Sequence, residues 1–218
     1  MGRACCGRDA CRWARARAAE RRTPAAGATT TLVNIDPPPP TAGFVIVLNG
    51  ASSSGKSSLA RRVQALLDLP FLLISGDQLI EAGLLPARRD PQGPFDWLGQ
   101  MRPRFFDGFH RCISALAAAG NNVLVEHVVE HRAWRVQLDQ LLAGYDVFWV
   151  GVDCDLAEID RREMARGDRF PGEGRSHVEH DHIHDHGPYH LRIDTTAGVT
   201  DTSAHTVVEA WRKRSTRA

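Results

Sequence analysis

Gly50-Ala51-Ser52-Ser53-Ser54-Gly55-Lys56-Ser57 fits the pattern G-x-x-x-x-G-K-[ST] at every fixed position. Ordinary residue frequencies would give such a match in only about one random chain in a hundred. The flanking sequence narrows the reading further. Phe44–Leu48 (FVIVL) is a β-branched apolar run, as a strand buried on both faces requires. Ser57–Leu67 then carries apolar residues at helical spacing. A strand, a glycine-bounded loop and a helix in that order converge backbone N–H groups and a helix N-terminus on one anion, the β-phosphate of a nucleotide. In this reading Gly50, Ala51, Ser52, Ser53, Ser54 and Gly55, with Ser58 beyond, cradle the phosphates of ATP. Lys56 reaches the β- and γ-phosphates, and the Ser57 hydroxyl ligates Mg2+.

The rest of the chain alternates in kind. Phe71–Ser75, Val123–Glu126, Val147–Val152 and Leu191–Asp194 read as strands. Arg104–Ala119, Trp134–Ala143, Leu156–Ala165 and Ala204–Arg214 read as helices. That order predicts an α/β fold, a parallel sheet with helices on both faces. Residues 1–41 differ: they are rich in Arg and Ala, hold three of the five cysteines and run into Pro37–Pro40. Without apolar periodicity they read as a disordered leader before a folded domain of residues 42–218. An Arg-rich, acid-poor start also suits a transit peptide, but it lacks the apolar stretch of a secretory signal. Cys5, Cys6 and Cys11 build no even disulfide framework and have no second metal-ligand pair nearby. A net charge of +1 gives no global field toward nucleic acid or an anionic membrane. The longest apolar runs are too short to cross a bilayer. A cytoplasmic protein is expected, with no nucleic-acid or membrane partner and possible homo-oligomers.

A phosphate loop alone serves GTPases, ATPases and kinases, so the remaining motifs must discriminate. Asp77 follows the second strand, where ligands bind in open α/β sheets. It suits a general base that takes the proton of an attacking hydroxyl, or the N-cap of the helical-looking Gln78–Ala82, or both. Glu126 ends the third strand and is a candidate Mg2+ ligand; the neighbouring His127 reads as a structural, hydrogen-bonded histidine. Arg162, Arg166 and Arg169 sit on a helix and the loop after it. Arg162 and Arg166 share one face and could close over transferred phosphate as a lid. Arg161 reads as a solvated helix-end cation. His177–His190 holds six of the ten histidines; its i, i+4 pairs could clasp zinc, though a solvated amphipathic helix fits better.

VIVLNGASSSGKSSLARRVQ, SGDQLIEA, VFWVGVDCDLAEIDRREMARGDR and the closing His190–Thr196 stretch resemble, in that order, the chloramphenicol phosphotransferase family. The resemblance implies transfer of the ATP γ-phosphate to the primary hydroxyl of chloramphenicol or a similar small molecule. It implies a three-layer P-loop kinase fold with a five-stranded parallel sheet and a lid. Asp77 would be the general base, Gly50 to Ser57 the ATP and Mg2+ site, and Arg162, Arg166 and Arg169 part of the lid. Two departures bear on the acceptor. Leu84–Met101, which should wall its pocket, is shorter than in the antibiotic kinase, and Glu126-His127 replaces paired aspartates. Phe95, Trp97, Phe105 and Phe106 could pack an aromatic substrate or plain core. A kinase for a nucleoside, sugar acid or other metabolite shares every ATP-site residue. A nucleotide-binding regulatory module needs no Asp77, and a guanine switch would need an N-K-x-D segment that the sequence lacks.

Overall fold

The computed structural model describes residues 43–85, 101–166 and 171–215. The expected leader and Arg169, Phe95 and Trp97 lie outside them, as does most of the expected acceptor wall.

Five parallel strands form one sheet in the order β2-β3-β1-β4-β5. They are β1 (Val45–Gly50), β2 (Phe71–Ser75), β3 (Asn122–His127), β4 (Val147–Asp153) and β5 (Leu191–Asp194). Every residue of β1 is buried, because the strand has neighbours on both edges and helices on both faces. Ile46 and Leu48 face one layer, with Leu59, Ala60 and Val63 of α1 (Lys56–Leu66) and Ala204, Val207 and Trp211 of α7 (Asp201–Ser215). Val45 and Val47 face the other, with Phe109, Ile113 and Ala117 of α3 (Arg102–Ala118) and Leu138 of α4 (Arg132–Leu141). The period of two along β1 thus divides one apolar run between two cores. Ile113 is completely buried in the second core, and truncating it to Ala would cost about 2–5 kcal/mol.

The remaining helices gather at the carboxyl edge of the sheet: α2 (Gly76–Glu81), α5 (Leu156–Arg166) and α6 (Glu173–Glu179). Ala51, Ile159 and Ile183 make a small third core there. Register sets which strand ends meet. Ser75 pairs with Glu126, Leu48 with Glu126, Asn49 with His127 and Gly50 with Val152. The ends of β1, β2 and β3 therefore open into one crevice, where open α/β sheets bind ligands. Among the described residues no helix is long and apolar enough to cross a membrane.

Candidate active site

The phosphate loop turns sharply into α1. Gly55 caps the helix at φ 93°, a left-handed conformation in which a Cβ would be strained. Lys56 opens the helix and is buried; its Nζ donates to the Ala51 carbonyl at 2.5 Å, curling the ammonium back over the loop. The next residue, Ser57, donates its hydroxyl to Glu126 Oε1 at 2.5 Å. A strand-end carboxylate and a loop hydroxyl, sixty-nine positions apart, thus meet as an oxygen pair beside the lysine. Ser53 Oγ is buried and has no hydrogen-bond partner among the described residues.

Asp77 lies in the first turn of α2, exposed on the wall of the same cleft. The cap is Ser75, not Asp77. Ser75 Oγ accepts from the Gln78 N–H at 3.0 Å, and Gln78 Oε1 accepts from the Ser75 N–H at 3.1 Å, a complete capping box. The helix begins two residues earlier than the sequence suggested, at Gly76 rather than Gln78, so the capping role falls to the serine.

Phe106, Trp134 and His127 stack beside Asp77. The rings of Phe106 and His127 are 5.6 Å apart, and those of His127 and Trp134 5.7 Å, within 12° of parallel. The Arg102 guanidinium lies 5.0 Å over Phe106 and pairs with Glu130. His127 is indeed hydrogen-bonded and structural in its surroundings, as expected, but it also lines the cleft.

The arginines divide. Arg162 is a brace: it bonds Glu158 at 2.7 Å, the Thr195 carbonyl at 2.6 Å and the Ser53 carbonyl at 3.4 Å. It ties α5 to the phosphate loop and to the turn after β5, and it lines the cleft as well. Arg161 pairs in bidentate fashion with Glu158 on the surface. Hydrogen bonds from both arginines draw the Glu158 carboxyl down to about 2. Arg166 is exposed at the end of α5 and lines the cleft.

The histidine-rich stretch is not the solvated helix expected of it. Helix α6 stops at Glu179 and turns follow. His177 is buried, and its Nδ1 accepts the Ser52 N–H of the phosphate loop at 3.2 Å. Burial first, then the Lys56 charge, pushes its pKa down to about 4. Ser52 Oγ also donates to Glu173 at 3.3 Å. Two details hold α6 this close. Glu163, buried, accepts the N–H groups of Gly172 at 2.9 Å and Gly174 at 2.6 Å. A Cβ on Gly174 would lie 2.5 Å from the Ser52 carbonyl. His184 bonds Tyr189 and His186 bonds the Val129 carbonyl. The potential metal group among the described residues is instead Glu130, His177 and Asp181. Reading by sequence missed Arg102, Glu163, Glu173 and His177, because each depends on a contact between distant elements.

These parts enclose one cleft of about 710 Å³, with the phosphate loop at one end and Asp77, Phe106 and His127 at the other. The family description of chloramphenicol phosphotransferase-like proteins matches residues 43–212, which is more than half of the chain. The chain belongs to that family. Two provisionally named O-phosphotransferases from Mycobacterium tuberculosis strains are 30% identical over 182 residues, covering 75% of this chain and 80% of each relative. Among solved structures, the Mycobacterium tuberculosis APS kinase bound to AMPPNP and APS aligns with TM-score 0.56 and 22% identity, over 80% of this chain and 99% of its own. A Chloroflexus aurantiacus protein, provisionally described as a kinase, aligns with TM-score 0.57 and 17% identity, over 81% and 97%. Those identities speak for the fold alone. Family and fold together make this member a nucleotide-binding P-loop kinase.

Proposed function

We propose that residues 42–218 form a kinase domain that moves the γ-phosphate of Mg-ATP to a hydroxyl of chloramphenicol or a similar small molecule. The observation that carries this reading is the one cleft that holds Asp77 together with Lys56 and the Ser57–Glu126 pair. A nucleotide switch has no use for a carboxylate at the far end of such a cleft, whereas a hydroxyl acceptor needs one. Phe106, which lines the cleft, suits an aromatic acceptor.

The steps follow from the residues. The N–H groups of the loop and Lys56 bind the phosphates, and the hydroxyl of Ser53, buried and unpartnered among the described residues, suits a phosphate oxygen. Ser57 and Glu126 offer hard oxygen donors that fit magnesium, which would neutralise charge on the β- and γ-phosphates. Asp77 accepts the proton as the acceptor oxygen attacks phosphorus in line with the departing ADP oxygen. Arg166 stands where a cation can meet negative charge on the transferred group, and Arg169 three residues on extends that role. Arg162 keeps the loop in shape. Such a catalyst would work in the cytoplasm, where ATP is abundant.

Incubating purified protein with Mg-ATP and chloramphenicol should release ADP in step with a phosphorylated product seen by mass spectrometry. Bound ATP with unmodified chloramphenicol would remove the antibiotic as acceptor and turn the search to hydroxyl-bearing metabolites.

A further inference from the structure

Behind the aromatic wall runs a chain of hydrogen bonds, buried at His127 and His110 and half-exposed at Asp107, that none of the proposed steps uses. His127 Nε2 lies 2.9 Å from His110 Nε2, His110 Nδ1 lies 2.7 Å from Gln137 Oε1, and Gln137 Nε2 donates to Asp107 Oδ1 at 2.6 Å. Arg111 Nε donates to Asp107 Oδ2 at 3.0 Å, and that bond holds the carboxyl below its usual range. His110 is completely buried and His127 is 4% exposed. Two imidazoles buried against each other leave no room for a solvated charge on either ring, so both are neutral.

The direction of every bond in this chain follows from its outer end. An ionised carboxylate only accepts, so the Gln137 amide turns its NH2 to Asp107 and its oxygen to His110. That oxygen only accepts, so His110 carries its proton on Nδ1 and presents a lone pair at Nε2. His127 must then donate from Nε2, which leaves its Nδ1 bare. Among the described residues His127 Nδ1 has no hydrogen-bond partner. The ring lines the cleft, so its bare Nδ1 is the polar atom with which it can meet what the cleft holds.

The position of that atom gives it a job. Ser75 pairs with Glu126 across β2 and β3, so Asp77 and His127 leave adjacent strands at the same edge. Phe106 bridges them: it stacks on His127, and its edge lies 3.1 Å from where a Cβ of Gly76 would stand.

We infer that His127 Nδ1 is a fixed hydrogen-bond acceptor for the substrate, selecting alcohols that bear a second donor, a hydroxyl or N–H, beside the hydroxyl that receives phosphate. This rests on the phosphotransfer reading and narrows its acceptor class. Asp107, Gln137 and His110 are positioning residues, acting only through the tautomer they impose on His127.

Two measurements on the full chain test it. Ring 15N spectra should show His127 protonated at Nε2 and bare at Nδ1, and Gln137→Leu should turn this into a mixture of tautomers. A proton on Nδ1, or a ring indifferent to Gln137→Leu, overturns the relay. Turnover is then compared for chloramphenicol and a derivative methylated at its second hydroxyl and amide nitrogen, and for simple 1,2-diols against their monomethyl ethers. The uncapped member of a working pair should have a kcat/KM about tenfold higher, mostly through KM, as for one lost buried hydrogen bond. In His127→Phe, which keeps the ring stack, that ratio should fall to near one, and in Gln137→Leu it should fall part of the way. A ratio that neither variant changes overturns the substrate contact. Failure to phosphorylate any member of any pair overturns the phosphotransfer reading and the contact with it, while the ring spectra still decide the relay.

Discussion

At the nucleotide end of the cleft, eight consecutive residues supply the loop, the lysine and the hydroxyl, whereas at the far end Asp77, Phe106 and His127 arrive from three different elements. The first end is local. A strand, a turn and a helix N-terminus assemble it almost regardless of what surrounds them. The second end exists only because β2, β3, α3 and α4 pack in one register, which puts His110 within 2.9 Å of His127 and Gln137 beyond it. The nucleotide end can therefore be shared across many kinases, while the far end is free to vary and so to choose the acceptor.

Four changes would break or sharpen this contrast. The largest belongs to the local end. Lys56→Ala should cut kcat/KM for ATP about a thousandfold, by analogy with losing a preorganised charge-stabilising donor. Steady-state turnover measures it, and an unchanged rate would show that the loop is not catalytic. Next, Glu126→Gln removes one member of the Ser57–Glu126 pair. It should raise the magnesium concentration needed for half-maximal rate about tenfold or more while the fold melts nearly as before. A magnesium titration checks it.

Arg162→Met tests the brace at the nucleotide end, between α5, the phosphate loop and the turn after β5. It removes bonds to the Thr195 and Ser53 carbonyls, so it should lower stability by about 1–3 kcal/mol and raise the KM for ATP more than that of the acceptor. Denaturant melts and the two KM values read it; a selective effect on the acceptor would assign Arg162 to the lid.

The remaining effect appears only as pH falls. His177 is held down to about 4, so between pH 6.5 and 4 the unfolded chain takes up a proton that the fold refuses. Stability from this group is whole above pH 6.5 and is lost as pH falls toward 4, by about 3 kcal/mol at most. His110 and His127 act in the same direction. His177→Gln should therefore flatten, without abolishing, the fall in melting temperature over that window. An unaltered slope would mean that burial beside Lys56 does not hold the His177 ring neutral over this window.

The contrast also explains what could be read from the chain alone. All five strands and the helices that alternate with them are legible, because each core strand is a short apolar run and those helices show a face at a period near 3.6; α6 is not. Asp77 and Glu126 are legible as strand-end carboxylates. The cap reads as Asp77 rather than Ser75, two residues late, since SGDQ offers a serine and an aspartate that both cap well. Arg162 could be placed on the right helix face but not on its partners, the carbonyls of residues more than thirty and a hundred positions away. The histidines from His177 onward misled for the same reason. Their spacing suggests a helix, but Glu163 and Gly174 fold the segment down onto the phosphate loop.

The most direct test of the account separates nucleotide binding from transfer in one variant. Asp77→Asn keeps the side chain's shape, and Ser75 keeps the cap. ATP affinity by calorimetry should stay within about twofold of wild type, while phosphorylated acceptor, measured by mass spectrometry, falls by about a hundredfold or more. Product formation at the wild-type rate would contradict the assignment of Asp77 as the base, and equal loss of ATP affinity and transfer would show that the two ends of the cleft are not the separate parts described.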